Sequence, residues 1–188
     1  MRKVNVSTFV TLDGVMQDPG GFGEIAQGGW SLPFFNDEAQ QYAYDQLLSS
    51  DAFLCGRRTY EAFAKTWPQI KEGDYAGRMN SLPKFVASTT LSEPLEWNAS
   101  LIKGDVADAV AALKQQPGQD ILMYGSADLM RTLMHHGLID EYRIWVHPIV
   151  LGGGTHLFRD GTDTTTLKLV TARPLSSGVV ILTYQPAR

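Results

Sequence analysis

The stretch from Asp120 to Met134 constrains the fold most: an apolar run, a turn of small residues and a helical repeat follow one another without a spacer. Ile121, Leu122, Met123 and Tyr124 are large apolar or aromatic residues in succession, as expected of a strand covered on both faces. Gly125 has no side chain and lets a ligand approach its backbone closely, and Ser126 is a favourable helix N-cap. Leu129 with Leu133, and Met130 with Met134, recur at i, i+4 and lay one face of the helix on the sheet. The first N–H groups of such a helix lack partners within it and suit an anion beyond the strand end. Asp128 would oppose that anion if its side chain pointed the same way. An ordinary strand-to-helix connection explains the same residues without any ligand.

The rest of the chain repeats this alternation. Val4 to Leu12 reads as a first strand ended by Asp13-Gly14. Asp18 to Gly29 is too rich in glycine for regular structure, and a loop of this length is usually functional, often a lid. Asn36 or Asp37 can cap a helix to about Ser49. Asp51 to Cys55 is a second strand, Arg57 to Lys65 a helix, and Glu72 to Asn80 a further turn or two. Lys84 to Ser88 and Trp97 to Ile102 are the next strands, and Asp105 caps a helix that Pro117-Gly118 stops. After Asp140, Tyr142, Ile144 and Val146 alternate with Arg143, Trp145 and His147. Leu167 to Arg173 and Val179 to Tyr184 then look like paired strands. The spacing predicts one α/β domain over residues 1–188. Its sheet is three-layered, doubly wound and mainly parallel, with antiparallel strands at the C-terminal end.

Composition excludes several classes. Sixteen Lys+Arg stand against 20 Asp+Glu with no block of like charge, which argues against a nucleic-acid or anionic-membrane surface. No apolar run is long enough to span a bilayer, and the N-terminus shows no signal-peptide core. The lone Cys55 cannot form an internal disulfide, fits a reducing compartment and reads as a buried strand residue. A cytoplasmic protein is expected. The histidines lack zinc spacing, so no metal is expected, and neither a phosphate loop nor a G-x-G-x-x-G fingerprint occurs.

In doubly wound sheets ligands sit beyond the carboxyl ends of the strands. Three segments fall there: Gly56-Arg57-Arg58-Thr59, Ser88-Thr89-Thr90 and Gly125-Ser126. Helix N-termini, guanidinium groups and hydroxyls on one sheet edge match a diphosphate and a ribose phosphate, although arginines at such positions are more often plain surface charges. Trp30, Phe34 and Phe35 are either core or a wall on which a flat heterocycle would stack. Gly152 to Gly154 reads as a tight turn or bulge.

Taken in order, Val10 to Gly14, Trp30 to Pro33, Gly56 to Glu61, Ser88 to Thr90 and Tyr124 to Leu129 resemble the dihydrofolate reductase superfamily. Asp140 to Arg143, Pro148 to Gly154 and Leu157-Phe158 resemble the reductase (RibD C-terminal) domain of riboflavin-biosynthesis enzymes, which has the same fold. The resemblance covers nearly the whole chain and implies an NADPH-dependent reductase acting on a pterin-like or ribosylaminopyrimidine substrate. It implies that Gly56 to Thr59 and Ser88 to Thr90 hold the adenosine and its 2′-phosphate. Gly125, Ser126 and Ala127 would hold the pyrophosphate, with Tyr124 and Leu129 in the same cofactor set. Thr8, Phe9 and the Val15-Met16 segment would lie near the nicotinamide. The chain departs from both relatives: Phe35 stands where dihydrofolate reductases place an acid, and Val15, Met16 and Gln17 stand where the riboflavin-pathway enzymes carry basic residues. Proton delivery then falls to a bound water, to Asp13 or to Asp37, the last also a candidate helix cap. A nucleotide-binding module without turnover is the alternative. The antiparallel C-terminal strands offer an apolar edge, so a homodimer is expected.

Overall fold

The computed structural model describes residues 1–187. Its strands are β1 (Val4–Thr11), β2 (Ser50–Gly56), β3 (Lys84–Ala87), β4 (Ala99–Leu101), β5 (Asp120–Tyr124), β6 (Glu141–His147), β7 (Leu167–Pro174) and β8 (Val180–Pro186). Its helices are α1 (Asp37–Leu48), α2 (Arg57–Thr66), α3 (Asp74–Ser81), α4 (Val106–Gln115) and α5 (Ala127–His135). The strands form one eight-stranded mixed sheet in the order β4-β3-β2-β5-β1-β6-β8-β7. The chain divides into two compact units, Met1–Val6 with Tyr44–Asp140, and Ser7–Ala43 with the chain from Glu141 onward.

In the first unit β2 pairs parallel with both β3 and β5, and β3 pairs parallel with β4. Parallel neighbours need a crossover connection; α2 and α3 lie in the one from β2 to β3, and an irregular stretch makes the one from β3 to β4. Phe53 and Cys55 on β2, Val86 on β3, Leu122 on β5, Tyr60 on α2 and Met79 on α3 close into one apolar cluster. Burying such side chains stabilises by roughly 1.5–3 kcal/mol each. Cys55 belongs to this core, and burial pushes its thiol pKa up to about 12. Asp105 accepts the Asp108 N–H at 3.0 Å and starts α4 as the sequence predicts.

In the second unit β6 pairs antiparallel with β8, and β8 with β7. The structure corrects two expectations. The fourth strand begins at Ala99 instead of the predicted Trp97, because Trp97 and Asn98 have φ of 61° and 52°, left-handed values outside the extended region. On β6, Trp145 and His147 are buried as well as Tyr142 and Ile144, so the strand is covered on both faces. Trp145 packs against Phe9 and Tyr42 and donates its indole N–H to Ser7 at 2.9 Å.

Candidate functional site

At one sheet edge the registers align the ends of three parallel strands. Gly56 lies beside Ala87, and Leu54 lies beside Met123. Chain emerging from β2, β3 and β5 therefore leaves the sheet side by side: Arg57 opens α2, Ser88 opens a turn, and Gly125-Ser126 leads into α5. Gly56, the α2 N-cap, offers no side-chain oxygen to that helix. Gly125 and Ser126 are both left-handed, with φ of 55° and 60°.

Ser126 is the α5 N-cap, but its side chain does not cap that helix. Its hydroxyl instead accepts the Gly56 N–H at 2.9 Å, and its proton faces Thr59 Oγ1 at 3.0 Å and the Tyr124 carbonyl at 3.2 Å. One serine thus ties the starts of α2 and α5 together, and the first amides of α5 receive no side-chain cap. The Ser88 hydroxyl accepts the N–H groups of Thr90 and Leu91 at 3.1 and 3.0 Å, and Thr89 and Thr90 are exposed. Arg57 and Arg58 are exposed, and Arg57 reaches Glu61 at 3.1 Å on the same helix face.

Of the residues singled out on this edge, Gly56, Thr59 and Ser126 meet directly, with Ser88 one strand away. Leu129 is buried, so its side chain faces the core. The Tyr124 ring packs on Phe53 and its hydroxyl lies 3.3 Å from that of Tyr75.

The second unit holds the other candidates. Thr8 and Val15 are buried, and Phe9 sits 5.0 Å from the His147 ring. Trp30 meets His147 edge-on at 5.1 Å and donates its indole N–H to the Gln17 carbonyl at 2.8 Å. Phe34 lies 5.9 Å from His147, while Phe35 is at the surface and touches Phe9 at 6.1 Å. Trp30 is therefore core, and Phe35 is the member open to solvent. His147 is 1% exposed, and burial pushes its imidazole pKa down against backbone hydrogen bonds with Trp145 and Val10 that push it up.

The two carboxylates considered as acids lie in different surroundings. Asp13 accepts the Thr11 hydroxyl at 2.6 Å and the amides of Leu151 and Gly152 at 3.2 and 2.8 Å. These bonds, the Thr11 hydroxyl first, hold its pKa down at about 2. Such bonds favour the carboxylate anion over its protonated form. Asp37 is not the cap, because Asn36 Oδ1 accepts the Ala39 N–H at 3.0 Å. Asp37 is an exposed residue of the first turn of α1, where its charge complements the helix dipole.

Sequence reasoning missed Asp18. It is 3% exposed at φ 52°, and its carboxylate accepts the amides of Phe22, Gly23, Glu24 and Ile25. The available signal was an aspartate followed directly by Pro-Gly-Gly, a residue type that bonds nearby backbone amides. Among the described residues no group of three or more His, Cys, Asp or Glu is placed to hold a metal ion. No helix there is long and apolar enough to cross a membrane.

The RibD C-terminal domain model matches residues 2–181. The chain belongs to the RibD C-terminal domain family. Within the curated relatives it is 33% identical to the Bacillus subtilis (strain 168) protein YyaP, over 97% of this chain and 94% of that protein. Among solved structures it is similar to a Shewanella sp. PV-4 protein named for riboflavin biosynthesis, with a TM-score of 0.77, 23% identity and full coverage of both chains. A Thermotoga maritima diaminohydroxyphosphoribosylaminopyrimidine deaminase/5-amino-6-(5-phosphoribosylamino)uracil reductase superposes with a TM-score of 0.65 and 16% identity, over 99% of this chain and 57% of that one. At such identities these structures establish the RibD-like fold, which is also that of the dihydrofolate reductases.

Proposed function

We propose that this protein is an NADPH-dependent reductase of the RibD C-terminal type, acting on a C=N or C=O bond of a pterin-like or ribosylaminopyrimidine substrate. The observation that carries the reading is the shared edge of β2, β3 and β5, where Ser126 ties the starts of α2 and α5 beside Ser88 and Arg57. Amides at helix N-termini suit a pyrophosphate, and an exposed guanidinium suits a ribose phosphate dianion. NADPH would supply the hydride when bound. Gly56, Thr59, Ser88 to Thr90 and Gly125 to Ala127 would grip and orient it through backbone and hydroxyl groups. The exposed ring of Phe35 offers a flat surface for a heterocycle. Asp13 is held ionised, so the proton would come from solvent.

Binding without turnover is the second reading. It is favoured by Phe35 standing where dihydrofolate reductases carry an acid, and by the absence of a protonated carboxylate at Asp13.

Nicotinamide fluorescence on titration with NADPH and NADH tests the cofactor assignment. We expect NADPH to bind tighter. Arg57→Ala should weaken NADPH about tenfold or more and leave NADH little changed, since a guanidinium–phosphate bond is worth ~1.5–3 kcal/mol. An unchanged ratio removes Arg57 from the 2′-phosphate site. NADPH consumption across pterins and aminopyrimidines separates enzyme from binding module.

A further inference from the structure

The triglycine segment after β6 is fastened to the turn after β1 by bonds that leave its middle dependent on one side chain. At one end the Leu12 N–H donates to the Ile149 carbonyl at 2.8 Å. At the other, the Met16 N–H donates to the Thr155 carbonyl at 2.9 Å, and the Leu157 N–H to the Gly14 carbonyl at 3.0 Å. Gln17 Oε1 adds bonds from the Thr155 amide and hydroxyl at 3.0 and 3.2 Å. Between these ties run Val150 to Gly154, largely exposed. There the Leu151 amide reaches Asp13 Oδ1 and the Gly152 amide reaches Asp13 Oδ2.

We propose that Asp13 is a positioning residue whose carboxylate clamps Leu151 and Gly152, and with them the triglycine segment, against the turn from Thr11 to Gln17. Thr11 orients the clamp. Its hydroxyl donates to Asp13 Oδ1 at 2.6 Å while accepting the Val15 N–H at 2.9 Å, so one group fixes both the carboxylate and the turn. A carboxylate bonded by an O–H and two N–H groups is stabilised as the anion, which is the form a clamp requires and a proton donor lacks. The triglycine suits this seat. A Cβ on Gly154, whose φ is 122°, would lie 2.8 Å from Val15 Cγ1, so a side chain there would push the segment off the turn.

The catalytic consequence rests on the reductase reading: Asp13 would act through the placement of this segment and transfer no proton. Amide hydrogen exchange tests the clamp without any ligand. In Asp13→Ala we expect Leu151 and Gly152 to exchange about tenfold faster or more, with β6 amides unchanged as the control for folding. Asp13→Asn keeps one acceptor oxygen and should lose protection at only one of the two amides. Gln17→Ala should release Thr155 and spare Leu151 and Gly152. Unchanged exchange of Leu151 and Gly152 in Asp13→Ala overturns the proposal; if that variant does not fold, full protection of both amides in Asp13→Asn does so.

Steady-state NADPH oxidation then separates clamp from donor. A clamp predicts that Asp13→Asn keeps kcat within about threefold and the wild-type pH profile, while Asp13→Ala raises KM. A donor predicts that both variants lose kcat alike together with a limb of the profile, and that result also overturns the proposal. Wild-type protein that turns over no substrate removes the reductase reading, while the exchange measurement still decides the clamp.

Discussion

A lysine ammonium taken out of water must recover its hydration from its surroundings, and Lys84 does so with little. It is 1% exposed on β3, donates to the Asn80 carbonyl at 2.8 Å and lies 4.1 Å over the Trp97 ring. Trp97 is itself held by its indole N–H on Asn80 Oδ1 at 2.7 Å. A carbonyl and a ring face replace hydration only in part, and burial lowers the lysine pKa to about 8. In the unfolded chain it returns to ~10.4. Between those values the unfolded chain binds more protons than the folded one, so this group adds stability as pH rises through that window. The gain across the window is on the order of 3 kcal/mol at most. Urea unfolding at pH 7, 8, 9 and 10 should show the wild type gaining on Lys84→Met, whose stability lacks this component. Parallel curves would mean that the ammonium is better solvated than its position implies. Nothing in the pattern around Lys84 announced this, because a single lysine entering a strand reads as an edge charge.

At the scale of an element, the glycine-rich loop after the β1 turn depends on Asp18 much as a helix depends on its cap. The Asp18 carbonyl also accepts the amides of Gly21 and Gly29 at 3.3 and 2.9 Å, closing the loop on its own start. Gly28 packs so tightly on the carboxylate that a Cβ there would sit 2.1 Å from Asp18 Oδ2. Asp18→Ala would leave several amides without acceptors, at ~1–3 kcal/mol for each that stays buried. We expect rapid protease nicking within residues 19–29 in this variant and slower nicking in Asp18→Asn, which keeps one acceptor. Equal resistance of all three proteins would show that glycine turns alone hold the loop. The helix caps show where local reading succeeds and where it stops. Asp105 caps α4 as read because its only demand is local. Ser126 holds the N-cap position yet spends its hydroxyl on Gly56, a neighbour 70 residues away in sequence.

For the whole molecule, the change from strand-helix alternation to strand after strand was legible, and with it the parallel pairing of β2, β3 and β5 and the antiparallel pairing of β6, β7 and β8. The placement of β8 between β6 and β7 was not, because periodicity fixes which face of a strand is buried and says nothing of its neighbours. That order leaves β7 at the edge of the sheet, exposed over nearly its whole length, with Leu169 and Val170 at 49% and 47%. The edge is guarded against open-ended pairing: a register shift falls between Leu169 and Thr171, and Pro174 ends the strand without an amide proton. A closed twofold contact, with the apolar pair of one copy packed against that of another, suits such an edge better than continued strand addition. We therefore expect a homodimer, with light scattering giving twice the 20.7 kDa of the chain. Replacing Leu169 and Val170 together by lysine should bring like charges across the contact and reduce the mass to that of one chain, with far-UV circular dichroism unchanged. A wild-type mass of one chain would exclude the dimer. A dimer that survives both lysines would place the contact on another surface.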